Sequence, residues 1–218
     1  MRLYHFLNRE HGLDSIRKRR LKIATLDEIN DPFELAAIGS KDKSQRAALK
    51  RFRDKWAKRF GMLCFSKGWD NPVQWSHYGE KHKGLCLGFD VADNICSDVE
   101  YSPERINIDL EDFDFEAGEG AEREAIRWST TKFDHWSYEQ EVRVFLALKE
   151  RGELGLYWCQ LDEQIQLREV IVGPTSDVSR KEVQAAIGHK SPKVDLIKAR
   201  LAFQKYRVVR QRREDLWS

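Results

Sequence analysis

The chain is predicted to fold as one α+β domain, with a mostly antiparallel sheet and helices at its periphery. Many short apolar segments typical of strands are interspersed irregularly with amphipathic segments typical of helices. A doubly wound sheet would alternate the two types regularly, so it is not expected here. The length of 218 residues suits one domain of ordinary size, and we expect a single domain over residues 1–218.

The first half of the chain is predicted to hold four strands and three helices. Alternating or continuous apolar residues predict strands at 2–6, 21–24, 61–66 and 83–91. Apolar residues at helical spacing among charges predict helices at 12–19, 41–59 and 73–81. Between them, Asn30-Asp31-Pro32 predicts a turn, because a residue before proline avoids the helical region.

The second half begins with the most acidic stretch, 98–124, which is expected to mix an exposed loop with the start of a helix through Arg127. Strands are predicted at 141–148, 156–159 and 167–172, and a helix at 179–187 with Ser176 or Ser179 as its N-cap. The pattern over 194–209 predicts one long strand or two.

Composition excludes several classes of protein. The net charge is +2, so bulk charge gives no argument for nucleic-acid binding. No apolar run approaches the roughly 20 residues of a membrane span, and the N-terminus lacks the apolar stretch of a signal peptide. The four cysteines are widely spaced without a Cys-x-x-Cys pair, which favours a reducing compartment and predicts a cytoplasmic protein.

Three polar side chains lie in or beside predicted strands: His5, Tyr78 and Glu141. Because a polar group on a buried strand is costly unless it is satisfied or used, we expect these side chains to converge on one cleft. Glu139 is predicted to share a strand face with Glu141, since alternate residues of a strand point the same way. The structural alternatives are a satisfied core histidine, a packing tyrosine, and glutamates that are exposed or paired with Arg143.

Other catalytic chemistries have little support in the sequence. His77, His82 and His135, with Asp134 or Asp70, match no familiar zinc spacing, and no metal site is expected. The dinucleotide-binding Gly-x-Gly-x-x-Gly after a strand, the P-loop and the Gly-x-Ser-x-Gly elbow are all missing from the sequence. No cysteine has the basic setting of a nucleophile.

Several segments resemble those of the domain of unknown function 2971 family, which is found in bacteria and phages. They are Leu3-Tyr4-His5-Phe6, the segment from Leu26 to Glu34, Cys64-Phe65-Ser66, Trp75-Ser76-His77-Tyr78, Gly84-Leu85-Cys86-Leu87-Gly88-Phe89, Tyr138-Glu139-Gln140-Glu141-Val142-Arg143 and Val170-Ile171-Val172-Gly173. The resemblance extends over nearly the whole chain, and it implies no activity.

A more distant resemblance is to ADP-ribosyltransferases, in which His, Tyr and Glu follow one another in this order on a split, strongly curved sheet. Here the three are His5, Tyr78 and Glu141, the last within Glu141-Val142-Arg143-Val144-Phe145. The chain departs from that pattern in two places. Ser76 precedes Tyr78 by two residues rather than three, and Phe6 follows His5 where a small residue is usual.

This second resemblance implies that NAD is the substrate. His5 would hold a ribose hydroxyl, Tyr78 would stack on nicotinamide, and Glu141 would stabilise the oxocarbenium-like state and activate the acceptor. Glu139 would orient the acceptor, and Trp75 and Ser76 would lie nearby as NAD-binding residues.

Three hypotheses therefore remain open. The first is an NAD-dependent ADP-ribosyltransferase or NAD glycohydrolase, a bacterial or phage toxin or defence factor, with a protein or nucleic acid as acceptor and no membrane partner. The second is a nucleic-acid-binding or -processing protein that uses a C-terminal basic stripe to contact phosphates. The structural alternative for this stripe is an edge strand whose basic residues prevent aggregation. The third is a non-enzymatic interaction module using 98–124 and 41–59. The stripe consists of Lys193, Lys198, Arg200, Lys205, Arg207, Arg210, Arg212 and Arg213.

Overall fold

The computed structural model describes residues 1–29, 31, 33, 38–40, 42–106, 118–188 and 193–218. Its strands are β1 (Arg2–Leu7), β2 (Arg20–Lys22), β3 (Phe60–Ser66), β4 (Leu85–Val91), β5 (Ser97–Asp98), β6 (Glu100–Ser102), β7 (Thr131–Phe133), β8 (Glu141–Ala147), β9 (Trp158–Gln160), β10 (Ile165–Val172), β11 (Asp195–Leu201) and β12 (Val208–Arg210). Its α-helices are α1 (Arg9–Lys18), α2 (Lys43–Ala57), α3 (Pro72–His77), α4 (Gly118–Ser129) and α5 (Arg180–Ile187).

Eight of these strands form one sheet in the order β12-β11-β10-β4-β1-β3-β8-β5. Neighbouring strands are antiparallel except β10 and β11, which are parallel. The predicted α+β domain with a mostly antiparallel sheet is confirmed. None of the helices in the described part of the chain is long and apolar enough to cross a membrane.

The sheet is buried on both faces, as its apolar strands predict. On β10, Val170 and Val172 belong to a core cluster with Leu13 and Val183, which come from α1 and α5. Ile171, between those two valines, belongs to a different cluster on the opposite face, around Trp75. This alternation follows from the two-residue period of a strand.

The sheet is interrupted at its centre, between β1 and β3. β1 pairs with β4 along its whole length, from Arg2 opposite Asp90 to Leu7 opposite Leu85. Between β1 and β3, by contrast, the register has a single pair of opposite residues, Tyr4 and Ser66; both strands are described in full. β3 instead pairs with β8 over all seven of its residues. The two halves of the sheet therefore separate beyond Tyr4.

Two sequence-based expectations require correction. The helix predicted over 73–81 ends at His77, because Glu80, Lys81 and His82 adopt left-handed φ values of 50°, 52° and 72°. Glu139 does not share a strand with Glu141, since it ends a 3₁₀ helix over Asp134–Glu139. The short strands β5, β6 and β7 were not predicted. Residues 107–117 of the acidic stretch lie outside the described residues.

Two other expectations are confirmed at the C-terminal end. Ser179 is the N-cap of α5 and forms a capping box with Glu182. The pattern over 194–209 corresponds to two strands, β11 and β12, which pair as an antiparallel hairpin. β12 is the edge strand of the large sheet.

Candidate functional site

A cavity of about 170 Å³ lies at the separation of β1 and β3. Three consecutive residues from each of these strands line it, and the other walls come from elements distant in sequence. The lining residues are Tyr4, His5, Phe6, Ala24, Glu28, Ile29, Cys64, Phe65, Ser66, Gln74, Tyr78, Lys132, Glu139 and Glu141. The gap in the sheet therefore becomes a concave site with polar groups in its wall.

His5 connects the two separated strands through its side chain. Its Nδ1 lies 2.7 Å from the carbonyl oxygen of Cys64, and because a carbonyl can only accept, Nδ1 carries the proton. Burial lowers the pKa of His5, and this effect outweighs the hydrogen bond to Cys64. The imidazole is therefore neutral at pH 7, with Nε2 as an acceptor.

Tyr78 enters the cavity from the end of α3. This helix begins at Asn71, whose side chain accepts a hydrogen bond from the Val73 amide, and Tyr78 is its C-cap residue. The phenolic hydroxyl donates to Glu139 Oε1 at 2.5 Å. A short bond from a hydroxyl to a carboxylate is a strong, charge-assisted interaction, so Tyr78 and Glu139 form one polar unit.

Lys132 lies between the two carboxylates. Its Nζ donates to Glu139 Oε2 at 2.6 Å and to Glu141 Oε2 at 3.1 Å. All three residues are 7% exposed or less, so these ion pairs are shielded from solvent. Glu139 and Glu141 thus meet at a shared cation although they belong to different secondary structures.

Glu141 is also held by Arg143, which lies on the same side of β8 two residues later. Arg143 donates through Nε to Oε1 and through Nη2 to Oε2, both at 2.8 Å, in a bidentate pair. Arg143 is 1% exposed. Burial alone would raise the pKa of Glu141, but Arg143 and Lys132 outweigh it and lower that pKa to about 2.

The two carboxylates differ in what they can do chemically. Burial raises the pKa of Glu139, and Lys132 and Tyr78 offset this only in part. Glu141 accepts from Arg143 twice, from Lys132 and from the Cys64 thiol, which fills the approximately four lone-pair positions of a carboxylate. Glu139 accepts from Tyr78 and Lys132, and so keeps capacity for another donor.

The backbone of Glu139 is fixed by two further side chains. Ser66 Oγ donates to the Glu139 carbonyl at 2.6 Å, and Gln74 Nε2 donates to the same oxygen at 2.7 Å. Gln140 then adopts a left-handed conformation with φ of 45°, which turns the chain into β8. The position of Glu139 is therefore set by β3 and α3 together.

The structure brings together four of the predicted residues, since His5, Tyr78, Glu139 and Glu141 line the same cavity. Trp75 and Ser76 are not among its lining residues. Trp75 is fully buried, with its Nε1 donating to the Trp69 carbonyl at 2.6 Å and its ring against Phe6, and Ser76 is exposed on α3. Gln74 is the α3 residue that lines the cavity, so the structure does not bring Trp75 and Ser76 together with the other predicted residues.

Sequence reasoning missed two kinds of residue at this site. Lys132 gave no signal, because three residues are too few to show a strand pattern. Gln74 and Ser66 act through a backbone carbonyl, which sequence does not reveal. The Glu141–Arg143 pair was anticipated as a structural alternative, and the structure contains it.

The histidines considered for a metal site are not assembled into one. His77 Nδ1 lies 3.0 Å from the Tyr138 hydroxyl, in a cluster of aromatic rings. Within the described ranges, no group of three or more His, Cys, Asp or Glu side chains could hold a metal ion.

One family model matches the chain, over residues 74–144, and its description is Protein of unknown function (DUF2971). The match covers about a third of the 218 residues and runs from α3 into β8. It confirms the predicted resemblance to this family over that stretch. The stretch includes five residues that line the cavity, Gln74, Tyr78, Lys132, Glu139 and Glu141, but it does not include His5. No curated protein and no solved structure matches the chain.

Proposed function

We propose that this cavity binds the nicotinamide-riboside end of NAD and cleaves the bond between ribose and nicotinamide, either transferring ADP-ribose or hydrolysing NAD. The observation that carries the proposal is the convergence of His5, Tyr78, Glu139 and Glu141 on one cavity from three distant parts of the chain. Two carboxylates with oppositely shifted pKa values are typical of sites with a division of chemical roles.

The reaction defines what the site must supply. The bond from the anomeric carbon to nitrogen breaks, and nicotinamide leaves as a neutral molecule with the electron pair, because the ring is a cation in NAD. The sugar is left as an oxocarbenium-like species. Water or an acceptor hydroxyl then donates a lone pair to that carbon and loses its proton to a base. Such a site needs negative charge and a base, and it does not need an acid.

Glu139 suits the role of base. Its raised pKa makes it a better proton acceptor than an ordinary carboxylate, and it retains free acceptor capacity inside the cavity. Glu141 suits a different role, since a pKa of about 2 makes it a very weak base. It remains ionised, holds Lys132 in place, and supplies negative charge beside the reacting carbon.

His5 and Tyr78 suit the binding of substrate. The unprotonated Nε2 of His5 can accept a hydrogen bond from a ribose hydroxyl, while Nδ1 keeps the ring oriented on Cys64. The Tyr78 ring can stack on nicotinamide while its hydroxyl stays on Glu139. A cavity of about 170 Å³ is smaller than the roughly 300 Å³ of common ligand pockets, so only one end of NAD enters it.

The test is nicotinamide release from NAD by wild type and by Glu139→Gln, with cell lysate supplied as a source of acceptors. We expect release by wild type and a loss of at least ~100-fold in Glu139→Gln, the usual scale for a general base. The matched control is Glu163→Gln, which alters an exposed glutamate outside the cavity. An inactive wild type that also shows no thermal shift with NAD refutes the proposal.

Label on adenine distinguishes the two outcomes of cleavage. Transfer of the label to macromolecules in the lysate identifies an ADP-ribosyltransferase, and free ADP-ribose identifies a glycohydrolase. Either reaction, if unrestrained, consumes cellular NAD, and this supports our proposal of a toxin or defence role. Growth arrest on expression of wild type but not of Glu139→Gln would support that role, and equal growth would contradict it.

A further inference from the structure

Two aromatic side chains are fully presented to solvent at the end of the β11–β12 hairpin. Phe203 is 91% exposed and Tyr206 103% exposed. Burial of a large apolar side chain lowers the free energy, and of the four exposed aromatic side chains among the described residues these two are the most exposed. Two such residues three positions apart on one turn form an unusual surface.

The same turn lies in the most basic part of the chain. Residues 196–213 include seven lysines and arginines and no acidic residue. Two of the seven are paired elsewhere, Arg207 with Asp70 and Arg213 with Asp215. Among the described residues, no carboxylate forms an ion pair with Lys205, Arg210 or Arg212, so their charge is available to a partner.

The turn is held in a defined position. Arg200 pairs with Val209 and Leu201 with Val208, and the Ala202 amide donates to the Arg207 carbonyl at 2.9 Å. The Val208 amide also donates to the Asp70 carbonyl at 2.8 Å, which ties the hairpin to the loop before α3. A pre-ordered turn loses little conformational entropy when it binds.

The guanidinium of Arg200 lies 4.5 Å from the centre of the Phe203 ring. This cation–π contact orients the ring and places a positive charge beside it. Protection of the edge strand from aggregation would account for the basic residue of β12, Arg210. It does not account for two exposed aromatic rings, which would themselves promote association.

We propose that the surface of this turn, formed by Arg200, Phe203, Lys205 and Tyr206, binds single-stranded nucleic acid. Bases stack on exposed aromatic rings without sequence preference, and lysine and arginine contact the phosphates. Base pairing keeps the bases of a duplex stacked on each other, so a single strand is the better ligand. Two further unpaired cations, Arg210 at the end of β12 and Arg212 after it, follow the turn in the chain, and such a run suits a linear polyanion rather than a point of insertion into a lipid surface.

This inference goes beyond NAD cleavage and does not depend on it. The four residues do not line the cavity that contains Glu139. Binding of single-stranded nucleic acid can therefore be measured without NAD, and Glu139→Gln should leave this binding unchanged.

The experiment is a fluorescence-anisotropy titration of the full chain with a labelled oligodeoxythymidine of about 16 nucleotides, the upper site size for one small domain. We expect binding at about 50 mM salt that weakens steeply toward about 200 mM. Phe203→Ala with Tyr206→Ala should weaken binding by at least ~30-fold, from the loss of two stacked bases. Leu154→Ala, which alters an 84% exposed apolar residue between β8 and β9, is the matched control.

Lys205→Gln should reduce the slope of log affinity against log salt by about 0.7, the value for one phosphate contact in a single strand. Lys149→Gln, an exposed lysine elsewhere, should not alter the slope. No binding by wild type, or equal binding by the aromatic variant, overturns the proposal. Binding to vesicles of anionic lipid but not to the oligonucleotide also overturns it and assigns the surface to membranes.

Discussion

Glu141 forms buried ion pairs with Arg143 and Lys132, and these pairs stabilise the fold. Glu141→Gln keeps the shape of the side chain but removes the charge that balances two buried cations. Arg143 is 1% exposed and Lys132 7% exposed, so neither can recover its solvation in water without a rearrangement. Removing one partner of a buried pair costs about 3–5 kcal/mol.

The shifted pKa gives an independent value for the same quantity. The pKa of Glu141 falls from an ordinary 4.5 to about 2 on folding. At 1.36 kcal/mol for each pKa unit, this corresponds to about 3 kcal/mol of stability at neutral pH. The two figures agree, and we expect Glu141→Gln to lower the free energy of unfolding by about 3 kcal/mol.

The pH dependence has a definite sign. A carboxyl group whose folded pKa is depressed stabilises the fold above its unfolded pKa and loses this contribution as the pH falls toward the folded value. The contribution of Glu141 is therefore complete above pH 4.5 and is lost between pH 4.5 and about 2. The stability difference between wild type and Glu141→Gln should narrow over this interval.

Urea unfolding monitored by tryptophan fluorescence measures both effects. Glu139→Gln is the matched control: because the pKa of Glu139 is raised, folding does not stabilise its ionised form as it stabilises that of Glu141. We expect a large loss of stability for Glu141→Gln and a small change for Glu139→Gln at neutral pH. Equal unfolding midpoints for the two variants would refute the assignment of Glu141 as the anchor of this network.

Two further substitutions test separate parts of the site. Tyr78→Phe keeps the ring but removes the 2.5 Å hydrogen bond to Glu139. The kcat for nicotinamide release should therefore fall by at least ~10-fold, with little change in KM. An unchanged kcat would argue against the Tyr78–Glu139 unit. Trp75→Ala removes a fully buried ring that packs against Phe6, and it should lower the free energy of unfolding by about 3–5 kcal/mol, measured by thermal or urea unfolding; a loss below about 1 kcal/mol would contradict its role in the core.

Much of the fold could be predicted from local patterns. Apolar alternation located β1, β3, β8 and β10, and the helical spacing of apolar residues located α1 and α2. The end of α3 could not be predicted, because three non-glycine residues, Glu80, Lys81 and His82, take left-handed conformations. Of these residue types only histidine is enriched in left-handed conformations, so the sequence gives little sign of the turn. Contacts with distant residues hold it: the Arg9 amide donates to Glu80 Oε2, and the Thr175 amide donates to the His82 carbonyl.

The candidate site was predictable only in part, for a related reason. His5, Tyr78 and Glu141 were noticeable as polar residues in or beside apolar strands, and they do line one cavity. The shared cation, Lys132, was not noticeable, since it lies on a three-residue strand. The opposite pKa shifts of Glu139 and Glu141 were not predictable either, because burial and ion pairs with partners from other elements set the two pKa values.

The most direct test of the proposed NAD-cleaving site is nicotinamide release measured across pH for wild type and Glu139→Gln. The proposed roles predict that the rate of release by wild type falls as the pH is lowered, because Glu139 becomes protonated. The midpoint of this acid limb should lie above pH 4.5, since the pKa of Glu139 is raised above that value. They also predict a Glu139→Gln rate lower by at least ~100-fold without that limb. No release by wild type, or an equal rate and the same acid limb in Glu139→Gln, would contradict the proposal.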